Sequence, residues 1–269
     1  MSVLNVAGMT NHFAHVVRGS GPGLLLAHGG GGSVEGNFGA ILDDLARTHT
    51  VVGPDYPGSG ATPRATGPLD LDSVADELVA IAVDAGLERF AILGYSLGTG
   101  VAVRIATRHP ERVTGLILTA GFTKPDNRLL LAVDIWRELL DGDRRLLAKF
   151  LTFAATGERH LNALTPAELE AAIDGLAGYI PAGSPEHVGL VAGVDTRAEL
   201  AGISVPALVI ATTQDGLAPP AHSRELAAGI PGAELIEIEA GHGIGVEARD
   251  EWLAAIQKFL DASVGEGTN

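Results

Sequence analysis

The stretch "FAILGYSLGTGVAVRIATRHP", Phe90 to Pro110, sets Ser96 between Gly94 and Gly98 where an apolar run passes into a helical pattern. A strand that turns straight into a helix crowds its own backbone, and glycine two positions to either side leaves room for a serine hydroxyl to project above the turn. The next amide, Leu97, would sit at a helix amino terminus, where partial positive charge favours an oxyanion. The chemistry open to such a residue is nucleophilic attack on a carbonyl. The competing reading is a structural serine, since a chain with 36 glycines can meet G-x-S-x-G by chance. Other chemistries have less support. Cysteine is absent, which removes thiol nucleophiles, thiolate metal sites and a disulfide framework. None of the nine histidines falls in the H-E-x-x-H pattern of a zinc site, and the glycines of "HGGGGS", His28 to Ser33, lack the lysine of a phosphate loop.

Positioning Ser96 requires a sheet. Short apolar runs alternate with helical patterns, the signature of strand and helix units on a mostly parallel sheet. The runs Leu24 to His28, Val51 to Asp55, Phe90 to Ser96, Thr114 to Gly121, Ala207 to Asp215 and Ala233 to Ala240 read as strands. Helices are expected over Phe38 to Arg47, Leu71 to Ala85, Gly98 to His109, Ala221 to Gly229 and Glu247 to Leu260, with Pro110 stopping the third. The opening segments "SVLNVA" and "HFAHVVRGSG" read as an antiparallel pair at one edge, which brings the sheet to eight strands. Between Thr123 and Asp195 the alternation breaks: two amphipathic stretches follow one another without a strand, and "PAGSPEH" reads as a turn. This all-helical insertion is a lid over a pocket or a helical edge. Its Trp136, Phe150, Phe153 and Tyr179 would line a pocket or pack onto the core.

These elements and their motifs, from about Val3 to Leu260, resemble the α/β-hydrolase superfamily, whose triad runs serine, acid, histidine along the chain. On that resemblance Ser96 matches the nucleophile, Asp215 at the end of "LVIATTQD" matches the acid, and His242 in "EAGHGIGVE" matches the base. "HGGGGS" resembles the first oxyanion loop, with Gly30 donating its backbone N–H beside that of Leu97, and His28 shaping the turn. "PDYPGSG", Pro54 to Gly60, resembles the turn after the next strand, which makes Asp55 a structural residue. His12, His15, His49, His109, His160, His187 and His222 read as edge, surface or packing residues. The implied architecture is an α/β-hydrolase core over residues 1–122 and 196–262, a helical lid over 123–195 and a flexible tail over 263–269.

The resemblance implies a serine hydrolase acting on a small-molecule ester or thioester, with no metal or organic cofactor. An aspartate nucleophile marks the dehalogenase and epoxide hydrolase branches, and Ser96 disfavours both. Ring-cleaving C–C hydrolases share "HGGGGS" but usually carry tryptophan where Gly243 stands. Cofactor-free perhydrolases share the triad, and a non-catalytic ligand-binding member would keep the fold. A formal net charge of −15 speaks against nucleic acid and anionic membrane surfaces as partners. No basic leader or apolar run of about eighteen residues is read in the sequence. A cytoplasmic protein is therefore expected, with a homodimer left open.

Overall fold

Strands buried on both faces read as continuous apolar runs, and the sheet shows why. In the computed structural model, which describes residues 13–265, strands β1 (His15–Arg18), β2 (Gly23–Ala27), β3 (Thr50–Pro54), β4 (Phe90–Tyr95), β5 (Val113–Thr119), β6 (Ala207–Thr212) and β7 (Glu234–Ile238) form one sheet. Their order is β1-β3-β2-β4-β5-β6-β7. Only β1 runs antiparallel, against β3. Alternate residues serve opposite faces. Leu24 and Leu26 pack with Phe38, Ile41 and Trp252 on one side, while Leu25 and Ala27 pack with Leu78 and Val101 on the other.

The helices of the core are α1 (Val34–Leu45), α2 (Leu71–Asp84), α3 (Leu97–Arg108) and α9 (Pro220–Gly229) between strands, then the short α10 (Ile244–Glu247) and α11 (Arg249–Gly265) after β7. The central elements stand where the sequence places them. The described sheet has seven strands; the expected eighth, "SVLNVA", lies outside the described residues. Helix α1 begins at Val34, one turn ahead of the expected Phe38, because Ser33 caps it by accepting the Gly36 amide at 3.0 Å. Helix α11 continues through Gly265, past the expected start of the tail at residue 263.

Between β5 and β6 the chain inserts an all-helical lid region: α4 (Asn127–Leu140), α5 (Arg144–Ala155), α6 (Glu158–Ala163), α7 (Pro166–Tyr179) and α8 (Ser184–Gly193). The expected turn "PAGSPEH" is corrected here. Its last four residues open α8, with Pro185 in the first helical turn, where the missing N–H costs nothing.

Candidate active site

Ser96 joins β4 to α3 with φ 55° and ψ −121°, a positive-φ conformation that a side chain adopts only where the surroundings enforce it. The enforcement is steric. A Cβ on Gly98 would stand 1.9 Å from the Ala27 carbonyl oxygen, and one on Gly94 would stand 2.5 Å from that of Gly98. Strands β2 and β4 pack this closely on α3 only because both positions are glycine. The Ser96 amide donates to the Thr119 carbonyl oxygen at 2.9 Å, while the Ser96 carbonyl accepts from the Thr99 hydroxyl at 2.7 Å. The elbow is held from both sides.

The other predicted side chains converge on it. His242, in the loop after β7, lies with Nε2 3.0 Å from Ser96 Oγ and Nδ1 2.6 Å from Asp215 Oδ2. The Asp215 side chain is 0% exposed. Its Oδ1 accepts from the Leu217 and Ala218 amides at 2.9 and 2.8 Å, and its Oδ2 also accepts from the Thr212 hydroxyl at 3.0 Å. A carboxylate facing Nδ1 selects the tautomer that carries its proton there, leaving Nε2 free to accept from the serine hydroxyl. Tyr95, whose phenol is kept protonated by burial, donates its hydroxyl to the His242 carbonyl oxygen. The His242 amide donates to the Ala155 carbonyl oxygen of the lid at 2.6 Å.

Across the site, the loop after β2 has most of its amides engaged. Gly29 N–H donates to Asn37 Oδ1 at 2.8 Å, Gly31 N–H to His187 Nδ1 at 3.1 Å, and Gly32 N–H to the Gly29 carbonyl oxygen at 3.2 Å. Among the described residues, the amides of Gly30 and Leu97 donate to no protein acceptor. His28 Nδ1–H donates to the Gly29 carbonyl oxygen at 2.8 Å, and its Nε2 accepts the Tyr56 amide at 2.9 Å. Because a trans peptide points its C=O and N–H in opposite directions, tethering the Gly29 oxygen also aims the Gly30 N–H. Burial, with His187 adding to it, pulls the His28 pKa from 6.5 down to about 3, so the ring stays neutral in this role. Asp55 is structural, as expected: its carboxylate caps α1 by accepting the Val34 amide at 2.8 Å.

His187 does more than pack. It is a packing residue in that it is fully buried, but both ring nitrogens are engaged, Nδ1 as above and Nε2 donating to the Pro57 carbonyl oxygen at 2.9 Å. Nothing near it in sequence signals this, since its two partners lie 156 and 130 residues away.

A cavity of about 520 Å³ lies over Ser96. Its floor includes Gly30 and His242, and the lid contributes Leu129, Val133, Trp136, Leu151, Leu176 and Ile180. Of the four lid aromatics, Trp136 and Tyr179 line it; Phe150 packs against the core and Phe153 is 77% exposed. Among the described residues, no lysine or arginine lines the cavity. Its one carboxylate, Glu247, is occupied with the amides of Gly241 at 2.7 Å and Gly157 at 3.2 Å. The arrangement can draw a proton from a hydroxyl, meet a developing oxyanion with two backbone donors, and enclose an apolar group.

The sequence profile of the alpha/beta hydrolase fold matches residues 22–248. Among curated proteins, the pyrrolizixenacetamide deacetylase of Xenorhabdus hominickii is 29% identical over 249 residues, covering 92% of this chain and 94% of that protein. The pimeloyl-[acyl-carrier protein] methyl ester esterase of Aeromonas hydrophila is 31% identical over 269 residues, covering 90% and 96%. Among solved structures, a hydrolase from Pseudomonas aeruginosa superposes with a TM-score of 0.81 at 26% identity, covering 91% of this chain and 93% of that one. Agreement of sequence and fold across nearly the whole length makes this chain a member of the alpha/beta hydrolase fold family.

Proposed function

We propose that the protein is a serine hydrolase that cleaves esters or thioesters of an uncharged, largely apolar acyl group through an acyl-enzyme on Ser96. The relay from Ser96 Oγ to His242 to Asp215, at 3.0 and 2.6 Å, carries the proposal. His242 Nε2 takes the hydroxyl proton as Oγ bonds to the substrate carbonyl carbon, and Asp215 steadies the imidazolium. The carbonyl oxygen gathers the negative charge and receives the amides of Gly30 and Leu97. Collapse of the tetrahedral intermediate breaks the bond to the leaving alcohol or thiol, which departs with the proton from His242. Water then repeats the sequence on the acyl-enzyme, releasing the acid and restoring Ser96.

The acyl preference rests on the cavity wall. A mostly apolar lining with no lysine or arginine among the described residues offers no permanent cation to a buried carboxylate, whose desolvation would go largely uncompensated. The lid region, expected at residues 123–195, supplies much of that wall and sets acyl size.

The test is turnover of p-nitrophenyl acyl esters together with fluorophosphonate labelling. Ser96→Ala is expected to remove both while the far-ultraviolet circular dichroism stays that of the wild type. A wild-type protein that binds ligand but is neither labelled nor active would instead be a non-catalytic binding member of the fold. Because one relative is named a deacetylase, N-acetyl amides belong in the same panel.

A further inference from the structure

Four consecutive glycines, Gly29 to Gly32, have the widest backbone freedom a chain can have, and Gly31 sits at φ 66°. Hydrogen bonds, more than side-chain sterics, must therefore hold this loop in one shape. From the core, Asn37 holds Gly29 N–H, His28 holds the Gly29 carbonyl and the Ser59 hydroxyl donates to the Gly32 carbonyl oxygen at 2.6 Å, while Gly32 N–H closes back on the Gly29 carbonyl at 3.2 Å. A further bond comes from the lid. His187, on α8, accepts the Gly31 amide with Nδ1 at 3.1 Å and anchors its own ring by donating from Nε2 to Pro57 O at 2.9 Å.

The pair of bonds admits one state of the ring, neutral with the proton on Nε2. Burial lowers the His187 pKa and favours that neutral form. The rings that face it are His28 and Tyr56, with centroids 6.0 and 5.9 Å away. The charged groups nearby are Glu186, the preceding residue of α8, and Arg64, which pairs with Glu186 at 2.9 Å. His187 is not among the residues that line the cavity, so it acts on the loop and not on a bound acyl group.

We propose that His187 is a positioning residue for the oxyanion hole: by holding the Gly31 amide it fixes the aim of the adjoining Gly30 N–H, and it ties the seating of lid helix α8 to stabilisation of the transition state. This rests on the proposed hydrolase reading, in which Gly30 is a donor.

Two isosteres separate the bonds. Asparagine places its carbonyl oxygen near the position of Nδ1, so His187→Asn keeps an acceptor for Gly31 and loses the bond to Pro57. Glutamine places its NH2 near the position of Nε2, so His187→Gln keeps the bond to Pro57 and loses the acceptor. Each loses one hydrogen bond, and a purely structural histidine would make the two variants equally impaired. The expected result is a kcat for His187→Gln lower by about tenfold or more, with KM within about threefold, and a kcat for His187→Asn within about threefold of wild type. Equal kcat values in the two variants would overturn the proposal. Should His187→Gln not fold, the 15N spectrum of histidine-labelled wild type decides: the Nε2–H tautomer at His187 supports the bond to Gly31, and the Nδ1–H tautomer removes it. Fluorophosphonate labelling separates this proposal from the one beneath it. Wild type labelled at Ser96 with equally active His187 variants ends only the role of His187; an unlabelled wild type ends both.

Discussion

Replacing Asp215 by asparagine keeps the shape of the side chain but sets a choice of oxygen or NH2 before His242. An NH2 group facing Nδ1 would push the ring proton to Nε2, where it can no longer accept from Ser96. The expected loss in kcat is about 10⁴-fold, with KM and the thermal midpoint little changed; steady-state kinetics and a melting curve read both. The buried histidines predict an acid sensitivity. His28 binds no proton in the fold until the pH reaches about 3, against 6.5 for the free ring. The unfolded chain takes up that proton throughout the interval, so stability is complete above 6.5 and falls as the pH drops toward 3. Burial moves His187 and His49 in the same direction. Urea unfolding at successive pH values is expected to show stability declining below 6.5 with a slope of at least one proton. A flat profile from 6.5 to 4.5 would contradict it.

At the scale of elements, the elbow depends on β4 and its neighbour β2 lying close to α3. Gly98→Ala would drive a methyl group into the Ala27 carbonyl, and a loss of about 2–3 kcal/mol in urea-unfolding free energy is expected, together with loss of activity. Helices α2 and α3 are also joined by ions: Asp76 pairs with Arg108 at 2.6 Å and with His109 at 2.7 Å. The bond to Arg108, then that to His109, takes the Asp76 pKa down to about 2. This stabilisation is whole above the ordinary carboxylate range and vanishes as the pH falls through about 2. The carboxylate is 42% exposed, so solvent screens it and its worth is about 1 kcal/mol or less. Asp76→Asn is expected to lower the midpoint by about 2–4 °C at most at pH 7 and not at all near pH 2. The central strands were legible in the sequence because burial on both faces leaves little but apolar residues in them. The start of α1 is obscured in the sequence because Gly36 and Gly39 blur its first turns, and α8 is hidden because Ser184 and Pro185 signal a turn as readily as a helix start. The places of Ser96, Asp215 and His242 follow from the resemblance to the α/β-hydrolase superfamily, which supplies a chain order and a strand end for each. His187 had no such signal, since a histidine on an amphipathic helix does not announce partners on a distant loop.

For the whole molecule, charge sets the approach of substrate. A net charge of −15 surrounds a cavity whose lining, among the described residues, holds no lysine or arginine. An ester whose acyl chain ends in a carboxylate is expected to show a lower kcat/KM than its neutral isostere, and the gap is expected to narrow as salt is raised and the field screened over about 8 Å at 0.15 M. A salt-independent gap would assign the discrimination to the cavity wall alone. Among the described residues, no helix is long and apolar enough to cross a membrane. The lid is bonded to the loops after β2 and β7: the Tyr179 hydroxyl meets Ser33 Oγ at 2.6 Å on one side, and the Ala155 carbonyl receives the His242 amide on the other. Beside that second seam, a Cβ on Gly157 would stand 2.9 Å from the Gly241 amide, and one on Gly241 would stand 2.2 Å from the Gly157 amide. Anyone transplanting a foreign set of helices onto this core to change its acyl preference must therefore keep a bare backbone at both positions, or the graft will dislodge the very imidazole it was meant to serve.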